Sequence, residues 1–168
     1  MTAVRSLIFL IVAPGLAAIY VPIYVLSEGP RIIPQELAFL AIPLWASGAA
    51  VIIACFWEFL ARGQGTPAPI DPPRRLVVSG MYRYVRNPIY VGLLLALGGH
   101  LLWFGTAALL YYLIGAFVVA HTFVILYEEP TLKRRFGAAY EEYLRTVPRW
   151  IPRLGMGETG GPSASRTV

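Results

Sequence analysis

The chain passes from a polar, aromatic segment to an apolar run within residues 80–104, which read G-M-Y-R-Y-V-R-N-P-I-Y-V-G-L-L-L-A-L-G-G-H-L-L-W-F. Tyrosines and arginines crowd the first part, and an apolar run follows directly. Pro88 suits the first turn of a helix, and Asn87 suits the position that caps it. The stretch therefore predicts a polar site held at the beginning of an apolar helix.

Four apolar runs frame this site, at residues 4–26, 37–60, 89–104 and 106–127. A helix needs about 20 apolar residues to span a bilayer, and the first, second and fourth runs meet that length. The third covers only about 24 Å of a hydrocarbon core of about 30 Å, so we expect its ends to lie in protein or at the interface. These runs predict an all-α, polytopic membrane helical bundle with about four transmembrane helices.

The composition agrees with a membrane domain, since 57% of the residues are hydrophobic and 14% are charged in a chain of 168 residues. The first run is too long, and too interrupted by Pro14 and Pro22, for a simple cleaved signal. We predict one integral membrane domain over residues 1–153. The segment 154–168 is rich in Gly, Ser and Pro, which is typical of a disordered tail.

The placement of basic residues predicts the orientation. Of the 14 Lys and Arg residues, only Arg31 falls between the first and second runs, and the turn between the third and fourth has none. The others lie on the opposite side, so the positive-inside rule makes both termini and the 61–88 loop cytoplasmic. The net charge of +5 therefore indicates topology and attraction to membrane lipids rather than nucleic-acid binding.

Several other kinds of site are not indicated. Cys55 is the one cysteine, which leaves no intramolecular disulfide. His100 and His121 each stand alone on an apolar run, and no spacing of His, Cys and carboxylates resembles a metal site. The sequence predicts no metal, and it has neither a P-loop nor a Rossmann fingerprint in the required context.

Two cytoplasmic segments contain most of the polar residues. The 61–88 loop combines prolines with Leu76 and Val77, so we expect an ordered loop that folds over the helix ends. The 128–150 segment predicts a C-terminal amphipathic cytoplasmic helix at the bilayer surface, with an apolar face made by Leu132, Phe136, Tyr140, Tyr143 and Leu144.

If both segments close over the ends of the third and fourth runs, they bring together groups that could bind one polar ligand. The N–H groups at the start of the third run favour a carboxylate. Tyr82, Tyr84 and Tyr90 offer hydroxyls and flat faces that suit an amino-acid moiety on a planar heterocycle. Glu128 or Glu129 suits ribose hydroxyls or an ammonium group, and Leu76 and Val77 suit an adenine slot. Interfacial anchoring is the ordinary alternative for such tyrosines and arginines.

Two motifs carry a resemblance to a known family. G-M-Y-R-Y-V-R-N-P-I-Y-V-G is followed about forty residues later by E-E-P-T-L-K-R-R-F-G-A-A-Y-E-E-Y and then by V-P-R-W-I-P. Together they resemble the isoprenylcysteine carboxyl methyltransferase and phospholipid methyltransferase superfamily. The resemblance implies an integral membrane enzyme that uses S-adenosylmethionine at the cytoplasmic helix ends. The implied cofactor-binding residues are Arg74, Arg75, Leu76, Val77, Tyr82, Asn87, Pro88, Ile89, Tyr90 and Glu128.

Two positions depart from the family pattern. Asn87 stands where the family usually has His, and both side chains can hydrogen-bond a carboxylate. Val124 stands where the carboxyl methyltransferases have an Arg thought to hold prenylcysteine, so prenylcysteine is not the expected acceptor. An amine acceptor would need a base, and the candidate catalytic residues are Glu128, Glu129, His121 and Glu58.

A lipophilic acceptor is expected to enter between the helices from the bilayer, but the sequence leaves open its identity and the choice of O-, N- or S-methylation. It also leaves the oligomeric state open. Two other functions compete with the methyltransferase. One is an NADPH-dependent membrane reductase of the sterol reductase type, and the other is a non-catalytic lipid-binding scaffold.

Overall fold

The computed structural model describes residues 16–62 and 76–152, and within these ranges the chain forms helices and no β-strand. A 3₁₀ turn, Gln35–Leu40, leads into α2, and another, Gly80–Arg83, precedes α3. A wide π turn, Val124–Glu128, joins α4 to α5. The helices are α1 (Leu16–Val25, wound as a π-helix), α2 (Ala41–Arg62), α3 (Pro88–Phe104), α4 (Ala107–Phe123), α5 (Glu129–Phe136) and α6 (Ala138–Thr146).

Two stretches of the described chain are long and apolar enough to cross a bilayer. They are Gln35–Glu58, with 24 residues, and Ala107–Phe136, with 30 residues. Only 17% and 11% of their apolar windows are buried inside the protein, which differs from the core helix of a soluble domain. α1 and α3 are shorter apolar helices, so the count of four transmembrane helices stays a prediction. Residues 4–15 of the first run and the tail 154–168 lie outside the described residues.

α2 and α3 pack closely because glycines line their interface. A Cβ atom added at Gly48 would lie 2.7 Å from the carbonyl oxygen of Gly92. One added at Gly99 would lie 2.5 Å from the indole of Trp45. Small residues let helix backbones approach closely in membranes, where van der Waals packing is a main source of association. The glycines of α3 therefore fix the position of this short helix against the longer α2.

The end of α3 that is distant from the site is closed by Arg31. Its guanidinium donates hydrogen bonds to the carbonyl oxygens of Trp103, at 2.6 Å, and Leu102, at 3.2 Å. Gly105 ends the helix with a φ of 71°, a left-handed conformation that favours glycine. The positive charge of Arg31 thus neutralises the carbonyl end of α3.

The C-terminal segment forms two short helices in place of the single amphipathic helix that its periodicity predicts. The break is at Gly137, where φ is 53° and ψ is −128°, a conformation that no α-helix contains. The predicted apolar face packs against protein: Tyr140, Tyr143 and Val147 are buried together, with Leu76 packed against them. The cytoplasmic placement of these helices stays a prediction, and the loop residue Leu76 does fold back over them.

We predict that Gly48→Ala destabilises the protein, because the new methyl group forces the backbones of α2 and α3 apart. Overpacking of this kind costs about 1–3 kcal/mol. Gly115→Ala is the matched control, since a Cβ atom there has nothing within 4 Å, and it is expected to be neutral or stabilising. Thermal unfolding in detergent micelles measures both. Equal melting temperatures for the two variants would contradict the packing described here.

Candidate active site

The site is built around the beginning of α3. The helix starts at Pro88, as the sequence predicts, and Pro88 is buried. Asn87 occupies the capping position, but its side chain accepts no hydrogen bond from the helix. Its amide instead donates to the carbonyl oxygen of Arg149 at 3.2 Å. The side chain predicted to hold a carboxylate therefore contacts the C-terminal segment in this structure.

Residues 147–150, which we call the strap, lie across the start of α3. The backbone N–H of Arg86 donates to the carbonyl oxygen of Pro148 at 2.9 Å. Just before the strap, the hydroxyl of Tyr143 donates to the carbonyl oxygen of Tyr82 at 2.7 Å. These bonds join segments about sixty residues apart in the chain. They hold the Gly80–Arg83 turn, α3 and α6 as one assembly.

An ion-pair cluster fixes the strap, and we call it the Glu129 clasp. Arg149 donates to both carboxylate oxygens of Glu129, at 2.7 and 2.9 Å, and Arg86 donates to one of them at 2.9 Å. The side chains of Glu129 and Arg86 are only 16% and 11% exposed. The hydrogen bond to Glu129 raises the pKa of Arg149. Because its carboxylate is shared by two guanidinium groups, Glu129 holds the structure together and is poorly placed to act as a base.

Glu128 lies in a different environment from its neighbour. The hydroxyl of Tyr90 donates to it at 2.7 Å, and both side chains are half-buried. The hydrogen bond from Tyr90 is made to one of the two carboxylate oxygens of Glu128, Oε1. The π turn Val124–Glu128 directs these two consecutive glutamates to different partners. Turns of this kind are rare in proteins, and those that do occur often lie at functional sites.

His121 contacts the strap through Trp150. The indole N–H of Trp150 donates to Nδ1 of His121 at 3.0 Å, so the neutral imidazole must carry its proton on Nε2. The lone pair that a base would use is thus already accepting a hydrogen bond. This arrangement makes His121 a residue that positions Trp150.

Glu58 lies at the other side of the Gly80–Arg83 turn. The hydroxyl of Ser79 donates a hydrogen bond to it. Gly80 has a φ of 57°, and a Cβ atom there would lie 2.9 Å from the Glu58 carboxylate. The turn therefore needs glycine both for its backbone and for the approach of Glu58. Tyr82, on the same turn, lies near both Cys55 and Glu128.

The tyrosines around the turn stay protonated. Burial raises the pKa values of Tyr82 and Tyr143 well above the ordinary value of a phenol. Burial also raises the pKa of Tyr140 to about 12. These hydroxyls consequently act as hydrogen-bond donors at physiological pH and not as bases.

Some of the remaining predicted cofactor-binding residues also lie near the beginning of α3. Val77 is half-buried, and so is Ile89 in the first turn of α3. Leu76 packs against Tyr140 and Tyr143, which fixes the loop beside α6. Arg74 and Arg75 lie outside the described residues.

An apolar groove opens beside Tyr90, between α3 and α4, with a volume of about 470 Å³. Its walls are formed by apolar side chains of the two helices, and Trp150 of the strap completes it. The helix residues that line it are Val91, Leu94, Leu95, Leu113, Ile114 and Phe117. A polar pair and an apolar groove thus adjoin at the beginning of α3.

The structure adds three residues that the sequence did not single out: Arg86, Arg149 and Trp150. Arg86 precedes Asn-Pro, and the other two lie in the motif V-P-R-W-I-P. The motif is visible in the sequence, but its contacts with residues 86–90 depend on the fold. Its position directly after an amphipathic segment is the one sequence signal that points to these residues.

The long apolar helices with exposed faces, together with the polar cluster at their ends, indicate a helical membrane protein. Residues 65–139 match the model of the family described as phospholipid methyltransferase. The match includes the whole of the Gly80–Arg83 turn, α3, α4 and α5, and it confirms the resemblance to the integral membrane methyltransferases.

Part of the chain is also similar to a named relative. The chain is 38% identical to a protein named methanethiol S-methyltransferase 2, from Bradyrhizobium diazoefficiens. The alignment covers 44% of this chain and 27% of the relative's length. The shared part is therefore a limited portion of that protein.

We predict that Glu129→Gln destabilises the protein by about 3 kcal/mol, because it leaves two partly buried guanidinium groups without a counter-charge. The control is Glu142→Gln, whose carboxylate lies 3.9 Å from Arg145 with both side chains exposed. Such a surface pair is worth about 0–1 kcal/mol. Thermal unfolding in micelles compares them. A melting temperature for Glu129→Gln as high as that of the control would show that the clasp does not stabilise the fold.

Proposed function

We propose that this protein is a membrane methyltransferase that uses S-adenosylmethionine and acts on a lipid-like or other membrane-partitioned acceptor. The observation that carries the proposal is the Tyr90–Glu128 pair beside an apolar groove, within the part of the chain that matches the methyltransferase family. A methyl donor with polar and charged groups needs a polar site. An apolar acceptor needs an apolar site next to it.

The residues present fit the proposed cofactor. Glu128 has a carboxylate oxygen beyond the one bound by Tyr90, and this oxygen suits ribose hydroxyls or an ammonium group. Asn87 has a second amide hydrogen at the positive end of α3, which suits a carboxylate. Half-buried Val77 supplies apolar surface for a planar base. These groups would hold the cofactor without a metal ligand.

S-adenosylmethionine supplies, when bound, a methyl group on a sulfonium, and its transfer to an acceptor leaves a neutral thioether. The work of the protein is then mainly to hold the reacting atoms in line, about 3–3.5 Å apart, and to exclude water. Tyr90 orients Glu128 through its hydroxyl, and the strap covers the start of α3. A protonated acceptor would lose its proton to Glu128, since the carboxylate of Glu129 is already bound by two arginines.

The nature of the acceptor is supported by the groove and by the relative. The groove is apolar and opens between helices whose other faces are exposed, which favours entry of an acceptor from the bilayer. The relative is named for a small thiol, so thiols are the first acceptors to test. Val124 is buried and apolar, which supports an acceptor without the carboxylate of prenylcysteine.

The proposed sidedness is supported by charge. Arg31 binds the carbonyl end of α3, while Arg86, Arg149 and the basic residues of α5 lie at the opposite end. The positive-inside rule then favours a cytoplasmic location for the site and for both termini. The cofactor would reach the site from water, and the acceptor would reach it from the bilayer.

We predict that Tyr90→Phe weakens binding of S-adenosylhomocysteine about five- to tenfold, because it removes one hydrogen bond that orients Glu128, worth about 1 kcal/mol. Glu128→Ala is expected to weaken binding about tenfold to a hundredfold, since a charged acceptor is lost. Calorimetry on the purified protein in mild detergent measures both. Tyr111→Phe is the matched control, because Tyr111 is 72% exposed on α4.

The same titration tests the competing functions. Binding of NADPH without binding of S-adenosylmethionine or S-adenosylhomocysteine would support the reductase. Absence of binding by all three would support the non-catalytic scaffold. Equal affinities in the wild type and in Glu128→Ala would remove Glu128 from the cofactor site even if the protein binds S-adenosylmethionine.

A further inference from the structure

We propose that Trp150 determines which acceptors the protein takes, by limiting the bulk of the acceptor next to its reacting atom. The inference rests on the proposed function, and it names apolar compounds that are unbranched beside the reacting atom as the favoured acceptor class. It concerns a residue of the strap, outside the helices that form the walls of the groove.

The first step of the inference is that Trp150 lies at one end of the groove. It is the one strap residue that lines the groove, and the other lining residues belong to α3 and α4. Its ring centroid lies 5.3 Å from that of Phe117 and 6.4 Å from that of Tyr90. Tyr90 in turn binds Glu128. The indole therefore lies where the apolar groove meets the polar pair.

The second step is that Trp150 is held firmly. His121 accepts its indole N–H at 3.0 Å, and the preceding residue, Arg149, is fixed by the Glu129 clasp. A bulky ring with two anchors of this kind cannot move aside without breaking them. It forms a rigid wall rather than an adaptable one.

The third step concerns the shape of the groove. Along α4 it extends from Phe117 to Leu113, four residues or about 6 Å. The groove is open along one side and not enclosed, so the far end of an acceptor chain is free to extend. The restriction falls on the end beside Trp150 and Tyr90, where the reacting atom would be placed. Branching at that end is what the indole excludes.

The test uses pairs of isomers that differ only in bulk beside the reacting atom. 1-Butanethiol and 2-methyl-2-propanethiol form one pair, and n-butylamine and tert-butylamine form the other. For each pair, kcat/KM is measured with S-adenosylmethionine in detergent micelles. Differences of one methylene in an apolar pocket are worth about 10–200-fold in kcat/KM. We expect Trp150→Ala to raise the ratio of branched to linear substrate about tenfold or more.

Matched variants separate specificity from general damage. Trp57→Ala removes a tryptophan that is 70% exposed elsewhere on the protein, and it is expected to leave the ratio unchanged. His121→Ala removes the hydrogen-bond acceptor of Trp150 and is expected to raise the ratio. His121→Asn keeps an acceptor atom near the place of Nδ1 and is expected to restore the wild-type ratio. Melting temperatures and affinity for S-adenosylhomocysteine are recorded for every variant.

The outcomes are distinguishable. An unchanged ratio in Trp150→Ala, in a variant that still binds S-adenosylhomocysteine and transfers methyl groups, overturns the inference and leaves the proposed function in place. So does a wild type that binds S-adenosylhomocysteine but methylates none of the four compounds, since its acceptor is then not of the named class. A wild type that neither binds S-adenosylhomocysteine nor transfers methyl groups overturns the proposed function, and the inference with it.

Discussion

The Glu129 clasp is the interaction on which the site depends. It joins Arg86, just before α3, to Arg149 in the strap through a carboxylate at the beginning of α5. Three segments that are distant in sequence thereby meet at one end of the bundle. A partly buried ion pair does not by itself imply a large net gain in stability, because burying its charges is costly. Its value here is that it specifies one arrangement of the strap over the start of α3.

The clasp also separates the roles of two adjacent glutamates. Glu129 is shared by two arginines, whereas Glu128 accepts one hydrogen bond from Tyr90. In an unbroken α-helix consecutive side chains point about 100° apart, and the π turn changes where each of them points. Two glutamates of the same chemistry thus take different roles because the backbone directs them to different partners. Glu129 has a structural role, and Glu128 has a candidate chemical role.

Local sequence signals predicted the local structure well. Pro88 begins α3, Gly105 ends it, and the short third run is a helix of 17 residues. The break at Gly137 was missed because the apolar periodicity continues through it, although the residue needs a positive φ. The resemblance named Tyr90 and Glu128, and the structure brings them together. Periodicity could not identify Arg86, Arg149 and Trp150, because their partners lie twenty or more residues away and are set by tertiary packing.

The shortness of α3 explains why the site lies where it does. A helix of 17 residues is about 26 Å long, so it does not reach across a hydrocarbon core of about 30 Å. Its polar first turn therefore lies in protein, under the strap, and the groove beside it stays in contact with the apolar surface of α4. A longer helix would carry Asn87 and Tyr90 beyond the apolar surface of α4. Under the proposed function, the length of one helix would thus set the depth at which a polar donor and an apolar acceptor meet.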